Sequence, residues 1–362
     1  MTAAHRTKRG SSRGDCVLIT GGAGFIGCNL AHRLASDGHK VLILDNLSRA
    51  GVEQNLAWLQ ATHGDRVEAI VADIRHKETV ETAVARARQV YHLAAQVAVT
   101  TSLVEPVHDF TVNAAGTLNL LEAVRAQAEP PSLVFTSTNK VYGKLAGVNF
   151  AAHGDRYGPK EALLAGRGVG EEQPLDFASP YGCSKGAADQ YVLDYARTFG
   201  LPMAVFRMSC IYGPHQFGTE DQGWVAHFIK RALAGETITL YGDGRQVRDI
   251  LFVDDLVEAL ILAQDRIGSL QGDAFNIGGG TENTVSLLEL LDRFPSLVGV
   301  KADVQFDDWR PGDQPWYVSN TGRYFARTGW RPRVGVDEGL MRLARWLGDA
   351  RAVPADRQRV AS

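Results

Sequence analysis

The fold is decided by the segment Cys16-Val-Leu-Ile-Thr-Gly-Gly-Ala-Gly-Phe-Ile-Gly27. It opens with an apolar run of the kind that forms a buried strand, and residues 29–36 have the apolar spacing of a helix. Glycines between a strand and a helix predict a dinucleotide-binding turn. We expect Gly21 to make the tight turn, Gly24 to let the backbone approach a pyrophosphate, and Gly27 to let the helix pack on the strand. The helix N-terminus would then face the phosphates, and a glycine turn without a ligand is the alternative interpretation.

A second apolar strand, Val41–Asp45, ends in a carboxylate downstream of the glycine turn. A carboxylate at this point accepts hydrogen bonds from the adenosine ribose and repels a 2′-phosphate. The sequence therefore predicts NAD rather than NADP as the cofactor, although Arg49 is close enough to leave NADP open. A third strand, Val67–Val71, leads to Asp73 and Ile74, which we expect beside the adenine.

Strands and helices continue to alternate along the chain. We predict a helix at 76–88, a strand with its exit at 90–96, a long helix at 107–126 and strands at 132–138 and 203–207. This alternation predicts an α/β fold with a Rossmann-type, doubly wound parallel sheet. Ser137 and Thr138 would lie at the carboxyl end of the fifth strand, where ligands bind in such sheets. Later elements are predicted as helices at 225–234, 254–264, 284–293 and 337–348 and as a strand at 238–241.

The composition of the 362-residue chain argues against several classes of protein. Hydrophobic residues make up 45% and charged residues 22%, as in an ordinary globular enzyme, and the net charge of −3 does not suggest a nucleic-acid partner. No apolar run approaches the roughly 20 residues of a membrane helix. The four cysteines lack metal-ligand spacing and the start of the chain lacks a signal peptide, which predicts reduced thiols, a cytoplasmic location and no metal site. The basic first 14 residues predict a disordered tail, with a nucleic-acid-binding arm as the alternative.

Tyr181 and Lys185 would share one face of a helix, because they are one helical turn apart in Ala178-Ser-Pro-Tyr-Gly-Cys-Ser-Lys185. A free tyrosine has a pKa of about 10 and is a poor base at neutral pH. A nearby ammonium favours the phenolate, and lowering that pKa to about 7 needs roughly 4 kcal/mol of electrostatic bias. Such a pair can take a proton from a substrate alcohol while hydride leaves the same carbon. Taken alone, this spacing is more often a surface coincidence.

Together the motifs resemble those of the extended short-chain dehydrogenase/reductase family over roughly residues 15–348. The matching segments are Thr20-Gly-Gly-Ala-Gly-Phe-Ile-Gly27, Asp45, Asp73, Leu93-Ala-Ala-Gln96, Phe135-Thr-Ser-Thr138, Val141-Tyr-Gly143, Tyr181-x-x-x-Lys185, Tyr212-Gly-Pro214, Tyr241-Gly-Asp-Gly244 and Arg248-Asp249. Within the family, the segments most similar to epimerases acting at C2 of CDP-linked sugars include Ser137-Thr-Asn-Lys-Val-Tyr-Gly143, Asp221-Gln-Gly-Trp-Val225 and the insert at about 144–178.

The resemblance implies an NAD-dependent sugar-nucleotide epimerase that works through a transient keto sugar. Thr138 would hydrogen-bond the reacting hydroxyl, Tyr181 would act as base and then as acid, and Lys185 would hold the nicotinamide ribose and lower the tyrosine pKa. The closer similarity implies C2 as the reacting carbon and a CDP-hexose as the substrate, and the family implies a homodimer or homotetramer. The residues implied in cofactor binding are Gly21, Gly24, Phe25, Ile26, Gly27, Asp45, Asn46, Ser48, Arg49, Asp73, Ile74, Leu93, Ala94, Ala95, Gln96, Asn113, Tyr181 and Lys185. Those implied in substrate binding are Asn139, Gln222, Tyr241, Arg248 and Arg310.

Some of these positions have alternative interpretations. Asn113 is equally compatible with a polar helix surface, and Trp224 with a core position or a nucleotide contact. Arg248 and Arg310 suit a diphosphate, because a guanidinium binds phosphate oxygens bidentately. Ion pairs with nearby carboxylates, Asp249 and Asp313, are the structural alternative for these arginines.

The residues after Thr138 bear on the type of reaction. The 4,6-dehydratases of the family carry an Asp-Glu pair there, whereas this chain has Asn139 and Lys140. Neither side chain can carry out the elimination of water, so dehydration is not expected. Cys210 stands where many relatives have asparagine, which leaves its contact open.

On this interpretation the chain has a basic tail at 1–14, an NAD-binding domain at 15–208, a smaller interleaved substrate lobe at 209–350 and a loose tail at 351–362. Three other functions stay open: a UDP-sugar 4-epimerase, a net NAD-dependent dehydrogenase of a nucleoside or sugar nucleotide, and a non-catalytic NAD-binding regulator. The last is disfavoured because the tyrosine and the lysine are both present.

Overall fold

The computed structural model describes residues 14–310 and 312–352. Its strands are β1 (Cys16–Thr20), β2 (Val41–Asp45), β3 (Val67–Val71), β4 (Ala87–His92), β5 (Ser132–Thr138), β6 (Phe150–His153), β7 (Arg156–Pro159), β8 (Met203–Met208), β9 (Cys210–Tyr212), β10 (Ile238–Tyr241), β11 (Val247–Phe252), β12 (Ala274–Ile277), β13 (Thr284–Ser286), β14 (Val304–Asp307) and β15 (Trp316–Tyr317). Its α-helices are α1 (Phe25–Ser36), α2 (Val52–His63), α3 (Lys77–Ala85), α4 (Val99–Val104), α5 (Pro106–Phe110), α6 (Gly116–Arg125), α7 (Ala162–Arg167), α8 (Ser179–Thr198), α9 (Trp224–Ala234), α10 (Val253–Asp265), α11 (Ile267–Leu270), α12 (Leu287–Asp292), α13 (Phe294–Leu297), α14 (Gly322–Thr328) and α15 (Val336–Ala352). Short 3₁₀ turns lie at Gly64–Arg66, Asn139–Tyr142 and Thr281–Asn283, and a π-helical turn lies at Thr111–Ala115.

The central sheet has seven strands in the order β12-β8-β5-β4-β1-β2-β3, and every neighbouring pair is parallel. The chain moves outward from β1 to β3 on one side, then returns to β4 and moves outward on the other. In such a doubly wound sheet the ligand crevice lies where the direction reverses, at the carboxyl ends of β1 and β4. The topology confirms the predicted Rossmann-type α/β fold.

Helices cover both faces of this sheet. Helices α1, α2 and α10 contribute to one hydrophobic core cluster, and helices α3, α6 and α8 contribute to the other. All residues of β1 and β5 are buried, as expected for parallel strands covered on both faces. A fully buried Leu or Ile side chain contributes about 2 kcal/mol, so the two-sided core holds the strand ends that carry the site in fixed positions.

The later part of the chain adds a second group of elements. Strand β11 pairs with β9, β13 and β15, and helices α9, α12 and α15 pack in the same hydrophobic cluster. Strands β8 and β12 of the central sheet alternate in sequence with these elements. The insert forms the β6–β7 hairpin, which rests on this group because Tyr157 N donates to Arg245 O (2.9 Å) and Arg156 Nη2 donates to Thr284 Oγ1 (2.9 Å).

Two predicted helices end or break early. The helix predicted at 76–88 ends at Ala85, because Ala87 already pairs with Cys16 at the start of β4. The helix predicted at 107–126 is divided into α5 and α6 by the π-helical turn. Such turns are rare and occur often at functional sites, and this one carries Asn113.

The segment at 284–293 was predicted as one helix, and this prediction is wrong for its first three residues. Thr284–Ser286 is strand β13, because it pairs antiparallel with β11. The helix α12 begins after it, with Ser286 as a capping-box residue: its hydroxyl accepts from Glu289 N, and the Glu289 carboxylate accepts from Ser286 N.

At the carboxyl end, helix α15 extends to Ala352, so the first two residues of the predicted loose tail are helical. The rest of that tail, at 353–362, and the predicted basic tail, at 1–13, lie outside the described residues. No helix in the described ranges is both long enough and apolar enough to cross a membrane.

Candidate active site

A cavity of about 710 Å³ lies at the carboxyl ends of β1, β4 and β5. Its wall is formed by the glycine turn, the end of β2, the loop after β4, the end of β5, the start of α8 and the loop before α9. The predicted site residues on this wall are Gly21, Gly24, Phe25, Ile26, Gly27, Asp45, Asn46, Ser48, Arg49, Asp73, Ile74, Leu93, Ala94, Ala95, Gln96, Thr138, Asn139, Tyr181, Lys185 and Gln222. Four predicted site residues are not on it: Asn113, Tyr241, Arg248 and Arg310.

The glycine turn depends on backbone contacts that a side chain would prevent. Gly21 has a φ of +72°, in the left-handed region that favours glycine. A Cβ on Gly27 would lie 2.6 Å from Gly22 Cα and closer still to Gly21 O, so α1 can approach the turn only through a glycine. A Cβ on Gly24 would have a single neighbour within 4 Å, Gly21 O at 3.2 Å. Because Gly24 lines the cavity, the open side of the glycine turn faces the cavity.

Asp45 connects the end of β2 to the glycine turn. Its carboxylate accepts hydrogen bonds from Ala23 N (3.0 Å) and Leu47 N (2.9 Å). Burial raises the pKa of Asp45, and these backbone donors oppose the rise. Arg49 lines the same end of the cavity, and burial alone lowers its pKa, since no charged neighbour in the described chain acts on it.

The neighbouring carboxylate, Asp73, is held in its ionised form. Its side chain accepts from Arg75 Nε at 2.8 Å and from Asn46 Nδ2 at 2.9 Å. These donors, Arg75 above all, hold the pKa of Asp73 well below its usual range. Asn46 and Asp73 thereby link the ends of β2 and β3 at the side of the cavity predicted to receive the adenine.

Asn113 lies behind the cavity wall, where it is buried, in place of the predicted direct cofactor contact. Its carboxamide accepts from Gln96 N (2.9 Å) and donates to Gln96 O (3.0 Å) and Ser184 Oγ (3.0 Å). Ser184 in turn donates to the buried carboxylate of Asp109. This network fixes the loop after β4 against α8, so the geometry gives Asn113 a positioning role.

Tyr181 and Lys185 lie on the first two turns of α8 and meet Thr138 at the cavity. Tyr181 is 8% exposed, and the Thr138 side chain lies close enough to its phenol to act on the pKa of Tyr181. Lys185 Nζ donates to Thr136 O (2.7 Å) and lies 4.2 Å from the centroid of the Phe135 ring. The end of β5 and the start of α8 thus bring a hydroxyl, a phenol and an amine to one place.

Burial governs the protonation of both members of the Tyr–Lys pair. It raises the pKa of Tyr181 to about 12, which the hydrogen bond with Thr138 opposes. It lowers the pKa of Lys185 to about 7, against the nearby carboxylates of Asp189 and Asp109. The expected lowering of the Tyr181 pKa by Lys185 is therefore not found in the protein alone. The phenol keeps its proton until further positive charge lies beside it.

Arg248 forms an ion pair, as the structural alternative predicted, but with Asp313 and not with the adjacent Asp249. Arg248 Nη2 donates to Asp313 Oδ1 at 2.6 Å. Asp249 instead accepts from Ser209 Oγ and from Gly280 N (3.1 Å). The guanidinium of Arg248 consequently lies beyond the cavity wall.

Arg310 and Tyr241 form a second group with Glu220, which the sequence analysis did not single out. Arg310 Nη2 donates to Glu220 Oε1 at 3.0 Å, and its guanidinium carbon lies 3.8 Å from the centroid of the Tyr241 ring. The Tyr241 hydroxyl donates to the same carboxylate. Since Asp221 and Gln222, which follow Glu220, line the cavity, this group borders its outer edge.

Several residues that line the cavity were not among the predicted cofactor-binding or substrate-binding residues. Lys140, Cys210 and His215 line the cavity. Trp224, for which a nucleotide contact was one of two alternatives, lines it too and lies close enough to the Cys210 thiol to act on the pKa of Cys210. Ser137 also lines it, and its buried Oγ has no hydrogen-bond partner within the described chain. The position of Lys140 and Ser137 beside Thr138, at a strand end, was the available signal.

These residues fit NAD. The glycine turn is open towards the cavity at Gly24, Asp45 lies at the carboxyl end of β2 as in dinucleotide-binding folds, and Lys185 lies on the same cavity wall. The Ser137 hydroxyl offers an unused polar group on the same wall. Within residues 14–310 and 312–352, no three His, Cys, Asp or Glu side chains are grouped as metal ligands.

Comparisons with known proteins cover almost the whole chain. Residues 17–278 match the NAD dependent epimerase/dehydratase family. The chain is 41% identical over 339 residues to CDP-paratose 2-epimerase from Salmonella typhi, covering 91% of this chain and 98% of that protein. It is 35% identical over 349 residues to dTDP-glucose 4,6-dehydratase from Streptomyces antibioticus, covering 93% of each. The crystal structure of UDP-glucose 4-epimerase from Thermus thermophilus in complex with NAD matches with a TM-score of 0.77 and 36% identity, over 92% of this chain and 99% of that one.

The family match spans both the glycine turn and the Tyr–Lys pair. It confirms the resemblance inferred from the motifs, and with it the choice of NAD as cofactor. By fold, site and sequence, the chain belongs to the NAD dependent epimerase/dehydratase family.

Proposed function

We propose that the protein is an NAD-dependent sugar-nucleotide epimerase that inverts C2 of a CDP-hexose through a transient keto sugar. The observation that carries the proposal is the meeting of Thr138, Tyr181 and Lys185 at the cavity whose other end is the glycine turn. The identity of 41% to CDP-paratose 2-epimerase supports C2 as the carbon and CDP as the nucleotide.

In the proposed mechanism, Thr138 holds the reacting hydroxyl and Tyr181 accepts its proton. When bound, NAD would supply the acceptor and donor of the hydride and the positive charge of its oxidised ring. Lowering the Tyr181 pKa from about 12 to about 7 takes roughly 7 kcal/mol. A unit charge at about 4 Å supplies about 4 kcal/mol at an effective dielectric constant of ~20. No single charge of this size is enough, so the proposed mechanism requires the positive charge of the cofactor together with a protonated Lys185 close to the phenol.

Lys185 has a second task, which is to hold the nicotinamide ribose through its ammonium donors. Its single hydrogen bond to Thr136 O, at 2.7 Å, leaves further donors for the ribose hydroxyls. After the keto sugar has turned, Tyr181 returns its proton to the sugar oxygen while a hydride returns to the carbon. Substrate and product then have the same oxidation state, so the reaction needs no exchange of cofactor.

Dehydration is disfavoured on the chemistry of the residues after Thr138. An elimination needs an acid and a base placed at the sugar, and a carboxyl pair is the family's means of providing them. Asn139 has no titrating group, and Lys140 supplies one amine, beside Arg248 and Asp313, in place of the two carboxyl groups. The similarity to a dTDP-glucose 4,6-dehydratase therefore extends to fold and cofactor, and we do not extend it to reaction type.

The test is to incubate the purified protein with CDP-paratose and, separately, with UDP-glucose, and to follow by NMR which hydroxyl inverts. We expect inversion at C2 of the CDP-sugar, without accumulation of NADH. Inversion at C4 of UDP-glucose alone would support a 4-epimerase, which the similarity to the Thermus thermophilus enzyme favours as second candidate. NADH formed in step with product would indicate a net dehydrogenase, and no turnover of either sugar would indicate a non-catalytic NAD-binding protein.

We further propose that residues 15–208 bind NAD, that residues 209–350 mainly bind the sugar nucleotide, and that the protein works in the cytoplasm as a homodimer or homotetramer. Exposed apolar side chains on α4 and α5, at Leu103, Val104 and Val107, support association of subunits. The unpaired state of all four cysteines supports a reducing compartment. Light scattering after size-exclusion chromatography tests the subunit number, and a monomer would refute that part of the proposal.

A further inference from the structure

A cation to which the proposed reaction gives no task lies on the cavity wall. Lys140 is the second residue of the 3₁₀ turn Asn139–Tyr142, and its backbone N–H donates to Thr138 Oγ1 at 3.3 Å. The same turn packs against α8 at Gly182, the residue after Tyr181. One short segment therefore fixes both the Lys140 ammonium and the hydroxyl expected to hold the reacting group.

Lys140 shares a carboxylate with Arg248, so this cluster has an unbalanced positive charge. Asp313 Oδ1 accepts from Arg248 Nη2 at 2.6 Å and from Gln314 N at 3.0 Å. Lys140 Nζ lies 4.0 Å from the same oxygen, which is too far for a hydrogen bond. Two cations thus share one anion, and the Lys140 ammonium has no hydrogen-bond acceptor in the described part of the chain.

The ammonium is in an environment that favours an anionic ligand. The Lys140 side chain is 24% exposed, and the surface beside it is the cavity. Burial and the charge of Arg248 lower the pKa of Lys140, while Asp313 opposes this change. A mostly buried cation without an acceptor is unfavourable, and an oxyanion in the cavity beside Lys140 would supply that acceptor.

We propose that Lys140 binds the phosphate to which the sugar is bonded, and that this contact selects C2 as the carbon presented to Thr138 and Tyr181. The inference rests on the proposed epimerase function and identifies a specificity-determining residue for it.

The geometry of a sugar nucleotide explains why this position matters. C2 is bonded to the anomeric carbon that carries the phosphate, whereas C4 lies on the opposite side of the sugar ring. An enzyme that reacts at C2 must therefore bring the phosphate close to its proton acceptor. A cation two residues after Thr138 is placed to do this, whereas Arg310 is paired with Glu220 and does not line the cavity.

The decisive experiment compares binding of CDP and CMP to the NAD-loaded protein by calorimetry. Only CDP carries the second phosphate, which in the substrate is the one bonded to the sugar. We expect Lys140→Met to weaken CDP binding by about tenfold or more, as for the loss of a charge-assisted hydrogen bond, and to leave CMP binding unchanged. Lys140→Arg should keep most of the CDP affinity. Lys144→Met, which removes an exposed lysine a few residues away, is the matched control.

Two outcomes would overturn the inference: CDP affinity equal to that of the native protein, or an equal loss for CDP and CMP. UDP and UMP serve as a second pair, so that the base preference does not decide the result. If Lys140→Met does not fold, as judged by its thermal unfolding, Lys140→Gln replaces it, and CDP affinity retained in either variant counts against the proposal.

The sugar product gives the second readout. With CDP-paratose, Lys140→Met should lower the rate of C2 inversion more than it lowers NAD binding, and Lys140→Arg should restore part of that rate. If the native protein does not invert C2 at all, the proposed function fails, while the comparison of CDP with CMP still decides whether Lys140 binds the phosphate.

Discussion

Alanine substitutions at Gly24 and Gly27 separate the two tasks of the glycine turn. A Cβ at Gly27 would collide with backbone atoms, Gly22 Cα at 2.6 Å and Gly21 O at a shorter distance. A Cβ at Gly24 would meet only Gly21 O, at 3.2 Å, and would extend into the cavity. We therefore expect Gly27→Ala to lower the stability of the protein and Gly24→Ala to lower its affinity for NAD.

The magnitudes follow from these contacts. Gly27 lies within α1, so alanine gains about 1 kcal/mol of helix propensity. Backbone atoms cannot rotate away as a flexible side chain would, and overpacking of this kind costs about 3 kcal/mol or more. The expected net loss in the free energy of unfolding is about 2 kcal/mol. Gly24 has a φ of −66°, which alanine adopts without strain, so its stability should change by less than about 1 kcal/mol.

For NAD, a methyl group at Gly24 would lie where the pyrophosphate approaches the backbone. If this methyl group displaces the pyrophosphate at a cost of about 2 kcal/mol, the affinity for NAD becomes about thirtyfold weaker. Urea unfolding without NAD measures the first effect, and titration calorimetry with NAD measures the second. Gly166→Ala is the matched control, because Gly166 is a helical glycine on α7 whose Cβ would have no neighbour within 4 Å. The reasoning is refuted if Gly27→Ala is as stable as this control, or if Gly24→Ala binds NAD as tightly as the native protein.

Three further predictions concern individual side chains. Tyr181→Phe should lower turnover by about a thousandfold or more with NAD binding retained, measured against Tyr191→Phe on the exposed side of the same helix; near-normal activity would remove the assigned base. Asp45→Ala should raise the affinity for NADP towards that for NAD, because Arg49 stays on the cavity wall, and equal binding of both cofactors by the native protein would contradict the role of Asp45. The folded-state pKa of Lys185, about 7, lies below its ordinary value of 10.5. Between pH 7 and pH 10.5, Lys185 therefore carries a proton in the unfolded chain and has lost it in the folded protein. The free energy of unfolding should consequently rise with pH above 7, by up to about 1.4 kcal/mol per pH unit. Denaturant unfolding from pH 7 to 9 should show a steeper rise for the native protein than for Lys185→Met, and parallel slopes would mean that Lys185 titrates normally.

The central sheet could be predicted because its strands are recognisable one by one. Strands β1 and β2 are apolar runs that end at the glycine turn and at Asp45, and both were predicted at their observed bounds. A strand covered on both faces needs a continuous apolar run, and this signal does not depend on its partners.

The wrong predictions share a different cause. Thr284–Ser286 precedes an apolar helix and has no strand signature of its own, so only the pairing with β11 makes it a strand. The π-helical turn at Thr111–Ala115 lies inside a good helical pattern, and it coincides with the hydrogen bonds that Asn113 makes to Gln96 and Ser184. Both features depend on residues distant in sequence, which local spacing does not encode.

The site was predictable where the spacing within one element was sufficient. The glycine turn and the Tyr–Lys pair each belong to one segment, and both line the cavity. The partners of Arg248 and Arg310 come from remote loops. Asp313 was named as an ion-pair partner for these arginines, but its pairing with Arg248, and Glu220 as the partner of Arg310, could not be assigned from spacing. The task of Lys140 was equally hidden, because it depends on Asp313 lying 4.0 Å from its ammonium.

Helix α8 carries two buried titratable side chains, Asp189 and Lys185, and only Asp189 has a direct partner of opposite charge. Asp189 is fully buried and forms a bidentate pair with Arg207, both bonds being 2.9 Å long. Lys185, one turn earlier, has no carboxylate in hydrogen-bond contact and relies on Thr136 O and the face of an aromatic ring. A direct carboxylate partner would keep Lys185 charged at all physiological pH values and would occupy the donors that a ribose needs. The helix therefore leaves Lys185, on the cavity side, with ammonium donors that are available to a ligand. Because no carboxylate is bonded directly to Lys185, burial lowers its pKa.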